Sequence, residues 1–544
     1  MRTGLPTILL LAPAAYIALA AAACGDDSGA GSVADADGAA DTAPDTVDAV
    51  DTRDGSGADD VADTAADAAD TADAAGAAPE DALDAADTAD TTPPEPPVVT
   101  LTVNAIPAEM NGSVPFLDDA DGELHDFRLR VNRGRFTLDA LADRRAGPVD
   151  WDTAALTCLV GETAVTLPPA PTIALGGWTA TWAVDVAAAI PDGAAVDCAI
   201  AVSGPGGATA SAVAFDAATL PPELDPFAEE DVWLVVTSRD LFEVVSTARV
   251  DGTYDIRSTY VPGGNGLPDF DEPFYEMGLM SPDNPEANAL VRAHLLRRIR
   301  ERAYAIYGLD ADGGPTADGV NMRLYFEGDP GAPDPADFDG GGFSMIALGG
   351  DGTNADQVGG IFGRALIDWN NQGHEDDTRY GLGVYPTALA RVALGQPLGT
   401  LLLEDLLPAT GVPIGADARD MAFVGKDELP AGVDPETSHR FDLYALAIDV
   451  GSLALSSILC HEIGHSLGLV PEGPPPVGLF AGIEGPAFLA SFVPDAHIDT
   501  AGLNVMQTGG SVNWFEAYGS EPRFNALNWA YLTRRLVVGP PAAD

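Results

Sequence analysis

Residues 24–97 of this 544-residue chain contain almost nothing from which a core could be built. The stretch DADGAADTAPDTVDAVDTRDGSGADDVADTAADAAD, residues 35–70, is made almost wholly of Ala, Asp, Thr and Gly, and Arg53 is the only basic residue of the whole tract. Too little apolar surface is present to offset the entropy of ordering, and like charges hold the segment open, so 24–97 is predicted to be a disordered acidic tether. As a flexible coil it would reach roughly 50 Å, and the Pro-rich TPPEPP at 92–97 stiffens its end. Much of the formal net charge of −58 lies here, and so acidic a chain repels nucleic acid. Folding is confined to the chain from Val98 onward, which is long enough for two domains.

The first 24 residues, MRTGLPTILLLAPAAYIALAAAAC, carry one basic residue, an apolar run and small residues ending in Cys24. This resembles a bacterial lipoprotein signal peptide, 1–23, with Ala21 where leucine is more usual. The resemblance implies cleavage before Cys24, lipidation of that cysteine and stable attachment to a membrane. The implied location is the bacterial cell envelope, on the outer membrane because Gly25 offers no inner-membrane retention signal. No other run of membrane-spanning length is expected. In an oxidising compartment Cys158 and Cys198 are expected to pair, and Cys460 to be a small buried residue.

From 98 to 224 the texture is of short alternating strands and Gly/Pro/Asp turns, as in VVTLTVNAIP and VDCAIAVSG, with Trp178 and Trp182 between the two cysteines. The pattern suggests an immunoglobulin-like β-sandwich. LPPELDPFAEED, 220–231, reads as a linker, and from 228 to 540 the pattern turns to α+β. DVWLVVTS (231–238), NMRLYFEG (321–328) and FSMIAL (343–348) are strand candidates. Residues 286–307 predict a helix with Val291, Leu295, Ile299, Ala303 and Ile306 on one face and Gly308 to stop it. Its arginines at 292, 297, 298, 300 and 302 are expected to be ion-paired or solvated.

Chemistry enters at SSILCHEIGHSLGLVPEGPPP, 456–476. His461 and His465 are four apart, so a helix presents both from one face, a turn apart, within reach of one Zn²⁺. Glu462, rotated about 100° from His461, can address a metal-bound water without being a ligand. YALAIDVGSLALSSIL supplies a buried helix behind the site, with Ser452 as its expected cap, and Gly468 permits the left-handed turn that ends it. HEIGHSLG resembles the HExxHxxGxxH motif of the metzincin zinc metallopeptidases, and GLNVMQTGG, 502–510, offers Met506 for the tight methionine turn found beneath the metal in that family. The resemblance implies one catalytic Zn²⁺, a protein or peptide substrate and a two-part catalytic domain.

The motif's third histidine is absent, since position 471 is Pro471. The leishmanolysin type inserts a long segment before its third histidine, and His497 is the only histidine after the motif here. His497 is the expected third ligand; Asp495, Asp499, Glu472, Glu484 and Glu516 remain rivals. Three protein ligands leave a fourth position for water, whose proton Glu462 accepts. Tyr518 is the nearest candidate for an assisting tyrosine. Acidic loops at 118–123, 263–272 and 309–314 resemble partial Ca²⁺ sites but lack the full ligand pattern. His374 with Asp368, Asp376 and Asp377 is a second polar cluster, and His125, His294 and His439 show no partner in the sequence. The expectation is a lipid-anchored zinc endopeptidase. Its alternatives are a binding lipoprotein that has lost activity, which Pro471 would favour, and a hydrolase of non-peptide amides. Oligomeric state is not legible.

Overall fold

A computed structural model describes residues 95–539, leaving aside 107–111, 119–122, 186–189, 223–224, 339–341, 351–361, 367–370, 372, 470–490, 493–497, 500–503 and 507–521. The signal segment, Cys24, the tether up to residue 94 and His497 therefore lie outside the described residues.

The β-rich part is built on a period of two. In Val99–Val103 the odd positions are buried, and in Ala195–Gly204 Val196, Cys198, Ile200 and Val202 point inward between exposed neighbours. One antiparallel sheet runs in the order Val99–Val103, Phe136–Ala142, Thr179–Val184, Thr172–Ala174. The other runs Gly112–Asp118, Glu123–Asn132, Gly207–Ala218, Ala195–Gly204, Asp150–Val160, Thr163–Ala164. Leu101, Phe136, Leu138, Trp182, Ile200 and Phe215 share one core between them, with Phe136 and Phe215 edge to face at 5.3 Å. Cys158 and Cys198 form a disulfide between directly opposed residues of neighbouring strands. The bridge staples one sheet, whereas the expected immunoglobulin-like arrangement joins two sheets. Closing a separation of 40 residues, it stabilises the fold by roughly 4 kcal/mol on the chain-entropy argument.

The chain's last strand, Leu536–Gly539, pairs antiparallel with Glu123–Asn132. Asn132 secures the junction, its backbone N–H donating to the Arg535 carbonyl at 2.9 Å and its side chain to the Arg534 carbonyl at 2.6 Å. The β-rich part and the α+β part thus share a sheet, which no local pattern in the sequence announced.

In the α+β part Asp231–Val236 lies between Met322–Phe326 and Ser344–Ala347, all parallel. Its near-continuous apolar run fits burial on both faces. Trp233 and Val235 face the main core with the helices, and Leu234 and Val236 face a smaller cluster with Phe343 and Met345. The helix Pro285–Tyr307 has the expected buried face; the Asn284 side chain accepts from the Ala287 N–H at its start and Gly308, at φ 66°, ends it. Its arginines are paired as expected: Arg292 with Asp271, Arg297 with Glu301 and Asp427, Arg300 with Asp329, and Arg298 and Arg302 with Asp449.

The motif lies on one unbroken helix, Pro435–Ser466. Ser452 does not cap it. Asp434 does, accepting from the N–H groups of Glu436 and Thr437, while Ser452 is buried in mid-helix with its hydroxyl donating to the Asp449 carbonyl. The start moved because an Asp-Pro pair far upstream satisfies the first-turn donors, and the apolar run then propagates without a break. This helix is also long and apolar enough to cross a membrane, with mean hydropathy 1.8, contrary to the expected absence of a second such run; 61% of that window is buried within the fold. Tyr307 donates to the Cys460 carbonyl at 2.8 Å, and Cys460 is fully buried, its thiol held well above the ordinary value by burial.

Candidate metal centre

Gly468 places the first imidazole's support. At φ 85° it reverses the chain so that the Leu469 N–H reaches the Gly464 carbonyl at 3.0 Å and its own N–H reaches the His465 carbonyl at 3.0 Å. This pair of bonds closes a Schellman cap. It also brings the Leu469 carbonyl to 3.3 Å from His465 Nδ1. His461 Nδ1 meets a second carbonyl, that of Val505, at 2.8 Å. A carbonyl only accepts, so both Nδ1 atoms carry a proton, which leaves the Nε2 atoms to act as metal donors. Those two Nε2 atoms lie 3.0 Å from each other.

At that distance a proton or a metal ion between the two nitrogens would be held by both. Tetrahedral Zn²⁺ with nitrogens at 2.0–2.1 Å would hold two of them about 3.3 Å apart, within a few tenths of what is found. The donor chemistry therefore fits a zinc ion. Among the described residues no group of three His, Cys, Asp or Glu side chains converges as a ligand set. His497, Glu472, Glu484, Asp495 and Glu516 lie outside the described residues, as do Pro471 and Tyr518, and Asp499 is described by its backbone alone.

Met506 is brought to the same place. The Asn504 side chain accepts from the Met506 N–H at 3.0 Å, forming the turn that offers the Val505 carbonyl to His461. Met506 is fully buried, and its Sδ lies 2.6 Å from where a Cβ on Gly464 would stand. Glycine between the two histidines is what lets the thioether pack directly under them.

Glu462 is 6% exposed and its carboxylate lies against Gly363 of the short hairpin Gly363–Arg364 and Gly383–Val384. An ideal Cβ on Gly363 would stand 2.4 Å from Glu462 Oε1. The hairpin is pinned to the helix by Ser466, whose hydroxyl donates to the Leu366 carbonyl at 2.6 Å. Tyr385 is buried beside this group, its hydroxyl held well above its usual range by burial first and by the Glu462 charge second. Neither Gly363 nor Tyr385 was singled out from the sequence, since both reach the site by tertiary packing.

Of the second polar cluster Asp368 lies outside the described residues, and Asp376 and Asp377 have separate roles. Asp376 accepts from the Arg379 N–H and the Thr378 hydroxyl, closing a turn. Asp377 is buried, accepts from the Leu366 N–H at 2.7 Å, and is pushed up to about 8 by burial, with the charges of Glu375 and Asp376 adding to the rise. His294, without a visible partner in the sequence, bridges Tyr444 and Asp427, and its own pKa is lowered by burial. His439 meets Asp405 at 2.9 Å, and His125 is described by its backbone alone. In the 309–314 loop Asp310 accepts from the N–H groups of Asp312 and Gly314; in the 263–272 loop Asp240 does the same for Asn265 and Gly266. Of the 118–123 loop, residues 119–122 lie outside the described residues.

No protein-family model matches the chain and no curated protein matches its sequence, so its chemistry has to be read from this geometry.

Proposed function

We propose that the chain is a zinc-dependent endopeptidase whose α+β part is metzincin-like, carried behind an immunoglobulin-like β-sandwich and an acidic tether. The reading rests on one observation above the rest: two imidazoles with their outer nitrogens held by carbonyls and their inner nitrogens 3.0 Å apart. His461, His465 and His497 would hold the ion, which when bound supplies a Lewis acid and an acidified water. Glu462 would accept a proton from a water attacking the scissile carbonyl and pass it to the leaving amine. Burial of Glu462 against Gly363 limits the positions its carboxylate can take, and Tyr385 closes the wall behind it. The N-terminal resemblance adds a lipid anchor at Cys24 and a place in the bacterial envelope, on the outer membrane. Proline at 471 is what favours a binding lipoprotein without activity, and a hydrolase of non-peptide amides would share the same centre.

One experiment separates these readings. The purified full-length protein should contain about one zinc per chain and cleave unfolded casein. Glu462→Ala should keep the metal and lose cleavage by at least about a hundredfold, whereas His497→Ala should lose the metal. Metal bound with no Glu462-dependent cleavage of casein would overturn the peptidase reading.

A further inference from the structure

We propose that an apolar cavity on the histidine-bearing face of the motif helix receives a leucine-sized side chain of the bound peptide, about five or six residues from the scissile bond. The inference rests on the peptidase reading above.

The cavity is about 100 Å³ and lies between the helix Pro435–Ser466 and the helices Pro386–Leu394 and Pro397–Leu403. Ala447, Val450 and Ala454 form one wall, Val392 and Leu402 the opposite one, and no charged side chain lines it. Positions 447, 450, 454, 461 and 465 repeat at three, four, seven and four, so they fall in a single stripe along the helix. The cavity and the two imidazoles therefore look out from the same side. Ser457 and Ile458, half-buried, carry that face between them.

Val450 and Ala447, half-buried at the cavity's mouth, precede His461 by eleven and fourteen residues, about 17 and 21 Å along the axis. An extended peptide covers that distance in about five or six residues. The wall is also continuous with the catalytic carboxylate, because Phe362 lines the cavity and the next residue, Gly363, lies against Glu462. In size, about 100 Å³, the cavity falls below a void of about 150 Å³ that admits benzene, which suits an isobutyl group better than a phenyl ring or a long acyl chain. The occupant is accordingly a side chain of a polymer already held at the metal centre.

The test uses the zinc-loaded full-length protein and alanine-rich peptides in which a single leucine is moved across the seven positions on each side of the cleaved bond. kcat/KM should rise about tenfold at a position roughly five or six residues from the bond. Ala447→Phe at the half-buried mouth should erase that rise through KM, and Val392→Phe from the opposite wall should do the same. Thermal melting of both variants separates loss of preference from loss of fold. A flat profile from an active wild type, or a peak whose KM is unmoved in two folded variants, overturns the cavity's role and leaves the peptidase reading standing. A wild type that cleaves neither these peptides nor casein overturns that reading and this inference with it.

Discussion

Replacing Gly363 by alanine tests the placement of Glu462 without touching it. Gly363 is not among the glycines at positive φ, so its backbone accepts alanine without strain. The new methyl would stand 2.4 Å from Glu462 Oε1, 2.7 Å from Cγ and 2.8 Å from Cδ. Ordinary contact needs about 3.4 Å or more, so the carboxylate has to retreat by about 1 Å. Because Cγ is crowded as well, a rotation of the carboxylate alone does not relieve the clash. Misplacing a reacting group by about 1 Å can cost on the order of a hundredfold in rate, or about 2.7 kcal/mol of barrier. Glu462 stands outside the proposed ligand set, and the two imidazoles are held through Nδ1 by carbonyls elsewhere in the chain. Zinc content should therefore stay near one per chain while kcat falls about a hundredfold on a casein-derived fluorogenic peptide. Metal analysis, steady-state kinetics and a thermal melt on one preparation decide the matter. A kcat within about twofold of wild type would refute the reasoning, since it would mean that the carboxylate acts from a position the methyl does not reach.

Two further outcomes are accessible by melting alone. Glu272 is buried and pushed up to about 7, by burial first and by the neighbouring Asp269 and Asp240 charges, with the Asn265 side chain donating to it in opposition. A carboxyl raised in the fold keeps its proton after the unfolded chain has lost its own, so its contribution is fullest below about pH 4.5 and is lost as pH rises through about 7. Glu272→Gln should therefore gain on wild type by about 1–3 kcal/mol between pH 5 and pH 8, and a gap that does not change with pH would refute the assignment. Gly451 sits in the middle of the motif helix with only Leu295 Cδ1, at 3.8 Å, near its missing Cβ. Gly451→Ala should stabilise by up to about 1 kcal/mol and raise Tm by a few degrees; a lowered Tm would show that close helix packing requires the glycine.

What could be read in advance was what local chemistry dictates. The helix expected at 286–307 and its stop at Gly308, the strands at 231–236, 322–326 and 344–347 and the left-handed residue at Gly468 derive from periodicity or from one residue's backbone freedom, and the pairing of Cys158 with Cys198 from the cysteine count and compartment. What escaped was long-range. The strand Leu536–Gly539 carries no mark in its sequence that its partner lies some four hundred residues earlier, at Glu123–Asn132. Ser452 looked like a cap because serine competes for backbone hydrogen bonds, yet inside an already propagating helix its hydroxyl bonds the preceding turn instead. Gly363 was one glycine among 60, and only its position against Glu462 distinguishes it.

The support of the two imidazoles also bears on what completes the centre. Leu469 offers its carbonyl to His465, and the Asn504–Met506 turn offers its middle carbonyl to His461. Residues 469 and 505, on either side of His497 in the sequence, therefore both meet the histidine pair. Pro471 denies a ligand at one position, but it stands only two residues from Leu469 and does not free the segment from its second anchor. His497 precedes Val505 by eight residues, so a chain at most about 3.6 Å per residue ties it within roughly 29 Å of that carbonyl. A tether of that length permits ligation but does not enforce it; what singles out His497 is that it is the only imidazole between Leu469 and Val505, and a zinc ion held by two imidazoles would accept a third readily. On the proposal above, the Asn504–Met506 turn has a reason beyond packing: its Val505 carbonyl would fix the tautomer of one ligand.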